Sequence, residues 1–229
     1  TMMECYWSYA DYEDMMNLSE DLFVFIAKNV LGATSFTYQG KEIELKKPWT
    51  RMTMKDAIKK HTKIDVDKLD NEELQTILRN HNINYEGDYN RGIAIELLFG
   101  ELVQDKLIQP TFITDYPKET TPLCKLKRGN NELIERFEIF ICGMELGNAY
   151  SELNDPLLQR QFLEEQIKMR EKTGEAHPVD EDFIKAVEHG MPPTGGLGIG
   201  IDRMIMLLTD SASIRDVLLF PFMKEATDE

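Results

Sequence analysis

Between Thr194 and Arg203 the chain reads Thr-Gly-Gly-Leu-Gly-Ile-Gly-Ile-Asp-Arg, the run with the clearest chemistry in the sequence. Gly196, Gly198 and Gly200 fall at alternate positions, so on a strand they leave one face without side chains. A flat base can lie against such a backbone. Arg203, at the start of the apolar helix that follows, is placed to pair with a phosphate on the same face. The run is no P-loop, because it lacks Gly-x-x-x-x-Gly-Lys-Ser/Thr. Nor is it Gly-x-Gly-x-x-Gly inside a βαβ unit of about 30 residues. A glycine-rich strand also lets a neighbouring helix pack closely, and that reading stands beside the first.

A second dense stretch runs from Arg136 to Asp155: Arg-Phe-Glu-Ile-Phe-Ile-Cys-Gly-Met-Glu-Leu-Gly-Asn-Ala-Tyr-Ser-Glu-Leu-Asn-Asp. Glu138 stands among bulky apolar residues, where a carboxylate needs a cation or hydrogen bonds. Glu138 and Glu145 differ in strand parity, so a straight strand separates them. A hairpin turn or bulge at Gly143 would bring both to one pocket. Two converging carboxylates facing a triphosphate suit Mg²⁺, which takes hard oxygens from protein and phosphate together. A structural ion pair is the alternative for either. Asn148, Tyr150 and Glu152 share a face at i, i+2 and i+4, as do Glu4 and Tyr6 near the start of the chain.

The elements that must carry these residues follow from periodicity. From Thr1 to Ala10, Met3, Cys5 and Trp7 point one way and Glu4, Tyr6 and Ser8 the other, as on a strand. Asp11 caps a helix, with Asp14 at the third position. Met15, Leu18, Leu22, Phe25, Ile26 and Val30 follow helical spacing, and Gly32 closes it. Phe36 to Leu45, broken by Gln39-Gly40, reads as a hairpin. Thr53-x-x-Asp56 and Asp70-x-x-Glu73 are capping-box patterns that start two short helices, and a third runs from about Arg91 to Lys106. Strands are predicted at Gln109–Ile113, within Glu135–Leu153, and at Val217–Phe220. Asp155-Pro156 starts a long helix ending near Gly174, and another short helix runs from about Glu181 to Gly190. The sum is an α/β domain of the α+β type, with mainly antiparallel strands and a small helical insertion at 53–107.

The bulk numbers exclude some classes. With 26 Lys and Arg against 41 Asp and Glu, a formal charge of −15 does not suit a self-sufficient nucleic-acid binder. No stretch approaches the ~18 apolar residues of a membrane helix, and no signal peptide is visible. Cys5, Cys124 and Cys142 are scattered, as suits reduced thiols in the cytoplasm. His61, His81, His177 and His189 show no metal-ligand spacing and read as surface or capping residues. The chain does not begin with Met and opens inside a strand-like segment, as a fragment would.

Gly-x-Gly-x-Gly-x-x-Arg before an apolar helix resembles motif 3 of the class II aminoacyl-tRNA synthetases. Gly190-Met-Pro-Pro-Thr through Arg203-Met, with Ile214-Arg-Asp-Val-Leu-Leu-Phe-Pro, is most similar to the bacterial type of lysyl-tRNA synthetase. The resemblance covers essentially all 229 residues, as a partial catalytic domain from the tail of motif 2 through motif 3. It implies a class II antiparallel sheet flanked by helices. It also implies an ATP site at Glu138, Gly198, Gly200 and Arg203, the arginine on the γ-phosphate, and Mg²⁺ on Glu138 and Glu145. Glu4, Tyr6 and Glu152 would surround the ε-ammonium of lysine. Asn148 would lie near the lysine carboxylate and Tyr150 along its stem. Many members carry Phe there, so the Tyr150 hydroxyl is expected to be incidental.

A cation on an aliphatic stem wants carboxylates at the pocket's end and an aromatic wall beside it. A charge-assisted hydrogen bond worth ~1.5–3 kcal/mol discriminates against a neutral side chain by about one to two decades. Glu4 alone would otherwise read as an edge-strand acid. The implied reaction makes lysyl-adenylate and pyrophosphate from L-lysine and ATP, then passes the lysyl group to tRNA(Lys), in a homodimer. On the same resemblance the Phe-Arg-x-Glu core of motif 2, motif 1 and an anticodon-binding domain precede Thr1, so the 229 residues alone should bind ATP weakly and leave lysine unactivated. Two other readings stand: a paralogue that attaches lysine to a protein such as elongation factor P, and a noncatalytic module on a synthetase fold. The helical block at Thr53–Leu107 favours the tRNA enzyme over the first. The intact set Glu138, Glu145, Asn148, Glu152 and Arg203 speaks against the second.

Overall fold

The structure of the chain is a computed structural model and describes residues 1–85, 87–170 and 178–222. Asp11 starts α1 (Tyr12–Leu31): its carboxylate accepts from the Glu13 N–H at 2.9 Å, and Asp14 accepts from the Asp11 N–H at 3.0 Å. Gly32 ends the helix in the left-handed conformation, at φ 72°. The buried face takes in most of the predicted set, with Met15 in the core and Leu18, Leu22 and Ile26 packed against it. Met15, Met16, Phe23 and Ala27 are buried, whereas Phe25 and Val30 are 65% and 66% exposed. The helix is apolar on more than one stripe, so spacing alone does not select the stripe that meets the sheet.

The main sheet runs β1 (Met2–Ser8), β9 (Thr194–Gly200), β8 (Met144–Ser151), β7 (Asn130–Ile141), β5 (Thr111–Pro117), β4 (Thr50–Thr53), with β6 (Leu126–Lys127) attached to β7. The β4–β5 pair is parallel and the other pairs are antiparallel. β2 (Ser35–Tyr38) and β3 (Lys41–Glu44) form the predicted hairpin. The connection from β4 to β5 carries α2 (Met54–Thr62), α3 (Asn71–Asn80) and α4 (Arg91–Leu102). Asp70 and Glu73 exchange both capping-box bonds. The Thr53 hydroxyl accepts from the Asp56 N–H at 3.1 Å and donates to the Asp56 carboxylate at 2.7 Å, in place of the reciprocal bond to its own N–H. Asp155 caps α5 (Pro156–Arg170) by accepting from the Leu157 N–H at 3.0 Å. The predicted end of that helix near Gly174 lies outside the described residues. α6 (Glu181–Glu188) and α7 (Ile201–Leu208) complete the set.

Three predicted boundaries are corrected. The strand expected at Gln109–Ile113 is β5, which begins at Thr111 and continues to Pro117. The helix expected to reach Lys106 ends at Leu102, and a 3₁₀ turn covers Gln104–Lys106. Val217–Phe220 is not a strand: a 3₁₀ turn at Ile214–Asp216 precedes it, and Leu219 and Phe220 are 91% and 93% exposed. A four-residue apolar run before a proline has too little periodicity to name its own element. His81 and His189 occupy helix C-caps and His61 lies in the last turn of α2; His177 falls outside the described residues.

The two faces of the sheet are covered unequally, and this makes the site. One face carries Phe137, Ile139, Ala149, Leu197 and Ile199 into a core closed by α1. On the other face Ile113, Ile134 and Phe140 pack against α2, α3 and α4. That second core takes only the half-buried Tyr150 from β8, and nothing from β9 or β1. Among the described residues, the second face over β8, β9 and β1 therefore has no apolar cover.

Candidate active site

The cross-strand register lines up the predicted residues in rows on that uncovered face. Glu4, Gly198, Asn148 and Glu138 stand opposite one another across β1, β9, β8 and β7. Tyr6, Gly196, Tyr150 and Arg136 form the next row. Directly opposed residues share a face, so every member projects to the same side. Glu152 follows Tyr150 by two and sits at the end of the strand, its N–H bonded to the Thr194 carbonyl at 2.8 Å.

The glycine run serves both faces. At Gly195 an added Cβ would lie 3.0 Å from Met15 and 3.1 Å from the Asp11 carbonyl, so this glycine is needed for the approach of α1. At Gly198, on the open face, the nearest atoms are 3.6 and 3.8 Å away. The run thus packs closely against α1 on one side of the strand and leaves room on the other. Gly195→Ala is accordingly expected to destabilise the fold by about 1–3 kcal/mol, while Gly198→Ala changes stability by less than about 0.5 kcal/mol. Thermal denaturation of the pair checks this; equal melting temperatures would contradict the two-sided account.

Over Gly196 the carboxylate of Glu152 and the ring of Tyr6 meet, so that a Cβ there would collide with Glu152. The Tyr6 hydroxyl donates to Glu4 at 3.2 Å. Burial first, and then the charge of Glu4, push the Glu152 carboxyl up to about 7. Burial, Glu4 and Glu152 likewise raise Tyr6. Two acids and a phenol around one point make a receptor for a cation.

At the other end of the rows lie the remaining carboxylates. Cys142 and Gly143, at φ 52° and 76°, turn β7 into β8. One residue of β7 (Ile139 to Phe140) is then matched by two of β8 (Gly147 to Glu145), a bulge at Leu146. That extra residue cancels the parity difference and sets Glu145 opposite Phe140, on the face that carries Glu138. Burial and then the charge of Glu138 raise the Glu145 carboxyl. Glu138 accepts from the Tyr116 hydroxyl at 2.8 Å and from Arg136.

Arg203 donates to the Glu145 carbonyl at 2.6 Å and lies 3.7 Å from its carboxylate. A cleft of about 300 Å³ opens here, lined by Glu145, Asn148, Gly198, Gly200 and Arg203 among others. A Cβ added at Gly200 would find its nearest neighbours, Arg203 and the Leu146 carbonyl, no closer than 3.7 Å. Half-exposed Arg203 thus faces the cleft beside two bare glycines.

Three participants escape a reading of the sequence. Arg136, 8% exposed, donates to Asn148, Thr120 and Glu138, and its guanidinium lies 4.3 Å from the Tyr116 ring. Glu96 of α4 reaches Arg136 at 3.5 Å, and its carboxyl is raised to about 7 by burial, against the pull of Arg136. An arginine two residues before Glu138 in an apolar strand, and a lone acid in Ile-Ala-Ile-Glu-Leu-Leu-Phe, are signals for the first two. Tyr116 has no local signal. The Tyr150 hydroxyl is not incidental here, for it accepts from the Asn148 amide at 2.9 Å.

Comparison with known proteins sets this geometry in a family. The family model of class II tRNA synthetases (D, K and N) matches residues 1–224. A lysine–tRNA ligase of Clostridium perfringens (strain SM101) is 51% identical over 229 residues, covering 98% of this chain and 46% of the relative. That of Saccharolobus solfataricus is 50% identical over 225 residues, covering 97% and 46%. That of Thermoanaerobacter pseudethanolicus is 50% identical over 230 residues, covering 100% and 46%. The chain spans a little under half the length of these relatives.

Proposed function

Because this chain belongs to the class II tRNA synthetases (D, K and N), we propose that the complete protein is an ATP-dependent lysine–tRNA ligase. The observation that carries the choice of lysine is the meeting of Glu152 and Tyr6 over Gly196, with Glu4 accepting from the Tyr6 hydroxyl. The ε-ammonium docks among these groups, the stem runs along Tyr150, and the carboxylate reaches Asn148. ATP lies in the adjoining cleft, its base against Gly198 and Gly200 and its γ-phosphate on Arg203.

A carboxylate oxygen of lysine then attacks the α-phosphorus. The bond to the bridging oxygen breaks, and pyrophosphate leaves with the electron pair. In the second step the terminal ribose hydroxyl of tRNA(Lys) attacks the lysyl carbonyl, and AMP departs. Catalysis is positioning and charge neutralisation, with no covalent enzyme intermediate.

Glu138 and Glu145 fit a Mg²⁺ ion. Both are oxygen donors on one face, and the charge of Glu138 raises the Glu145 carboxyl, a repulsion that a cation relieves. Among the described residues no three acid, His or Cys side chains converge, so phosphates and water would complete the shell. When bound, Mg²⁺ offsets phosphate charge. The chain's part is to hold the two carboxylates at the phosphate end of the cleft.

We read residues 53–107 as an insertion in the catalytic domain, supported by their place between the parallel strands β4 and β5. A cytoplasmic homodimer completes the proposal. Its support is three free cysteines and the family resemblance; no helix among the described residues is long and apolar enough to cross a membrane.

The test is ATP–pyrophosphate exchange by the full-length protein. Exchange driven by lysine, and not by aspartate or asparagine, is expected; exchange driven equally by aspartate would sink the assignment. Arg203→Ala should raise the KM for ATP by roughly tenfold to a hundredfold, the worth of a charge-assisted bond, with the KM for lysine little changed. Unaltered ATP kinetics would remove Arg203 from its phosphate role.

A further inference from the structure

Arg136 is a buried cation whose contacts divide between the two halves of the site. Its Nε donates to Asn148 Oδ1 at 3.2 Å, one terminal nitrogen donates to Thr120 Oγ1 at 3.1 Å, and the other to Glu138. A guanidinium has donors only. It can therefore satisfy only the oxygen of the Asn148 amide, and it fixes which way that amide faces. The amide nitrogen is left pointing away, with one hydrogen given to the Tyr150 hydroxyl at 2.9 Å and a second available to a ligand. Turned over, the amide would set its N–H₂ against the guanidinium and offer an acceptor to the substrate.

Resting on the lysine reading above, we propose that Arg136 is a positioning residue for substrate: by holding the Asn148 oxygen it presents the amide nitrogen to the carboxylate of lysine. The arginine does not touch lysine. The side chain is held rigidly for this task, stacked 4.3 Å from the Tyr116 ring and 5.9 Å from that of Tyr150. Its charge stays compensated by Glu138 and Glu96.

Calorimetric binding of L-lysine and of cadaverine, which is lysine without its carboxylate, to the full-length protein without ATP or metal tests this. Arg136→Lys keeps the charge but loses the planar fork. It is expected to weaken lysine binding about tenfold or more, the loss of one oriented bond, and to leave cadaverine within about twofold. Equal weakening of both ligands would mean general damage to the pocket and overturn the proposal. Should Arg136→Lys fail to fold, Asn148→Asp answers the same question. It gives the arginine a stronger acceptor and turns an oxygen toward the substrate. Lysine binding should then fall at least tenfold while cadaverine binds as well or better; unchanged lysine affinity overturns the proposal. Wild-type protein that binds neither amine overturns the lysine reading itself, and this inference with it.

Discussion

Glu152→Gln is expected to lower the affinity of the complete protein for lysine by about ten- to a hundredfold, the worth of a charge-assisted hydrogen bond, and to leave ATP binding unchanged. The side chain lies over Gly196 beside Tyr6 and owes nothing to the ATP cleft. Its ionisation adds a signature in pH. Burial and Glu4 hold the carboxyl at about 7, while the ε-ammonium of lysine stays charged across the neutral range. Binding the ammonium therefore requires the acid to lose its proton below pH 7. Lysine affinity should fall about tenfold from pH 8 to pH 6 in the parent and stay flat in the glutamine variant.

Stability moves the other way. The carboxyl titrates higher in the folded chain than in the unfolded one, so between about 4.5 and 7 the folded state binds more protons. Stability thus declines as pH rises through that window. Glu152→Gln escapes the decline and should be more stable at pH 8, by at most about 3 kcal/mol. Isothermal titration and melting curves at three pH values decide the matter. A variant that loses lysine and ATP affinity equally, or melts earlier, would point to misfolding rather than recognition.

The parts of this site legible in the sequence are those fixed by local periodicity. Alternation in Glu4–Tyr6 and in Asn148–Tyr150–Glu152 sets faces within a strand, and the glycines at 196, 198 and 200 mark the bare one. Which strands lie side by side is a non-local matter. The rows that join Glu4 to Glu138 depend on β9, from near the chain's end, lying between β1 and β8. The relation of Glu138 to Glu145 hangs on a single extra residue at Leu146. Arg136 shows the same boundary: its burial could be argued from its neighbours, but Thr120, Glu96 and Tyr116 come to it from three other segments. Local signals also fail where two answers have one pattern. The several apolar stripes of α1 and the run Val217–Phe220 are such cases, and burial against a particular neighbour decides them.

Glu138→Gln and Glu145→Gln should both reduce lysine-dependent pyrophosphate exchange by roughly 10²–10³, the usual loss when a preorganised electrostatic group is removed. Higher Mg²⁺ should recover part of it. Their stabilities should differ. Glu138 is nearly enclosed, and removing its charge leaves the equally enclosed Arg136 with only the more distant Glu96. Breaking a buried pair from one side costs about 3–5 kcal/mol, so Glu138→Gln should melt markedly earlier than the parent.

Glu145 is more than a third exposed and faces an Arg203 that is half exposed, so its substitution should change stability by no more than about 1 kcal/mol. Its removal also relieves repulsion with Glu138. Exchange assays over a Mg²⁺ series, with melting curves in parallel, separate the two effects. Glu145→Gln is the cleaner probe, because the folded site survives it intact. If that variant exchanges at the parent rate, with the parent's dependence on Mg²⁺, the face shared by Glu138 and Glu145 holds an ion-pair cluster and the metal must be carried elsewhere.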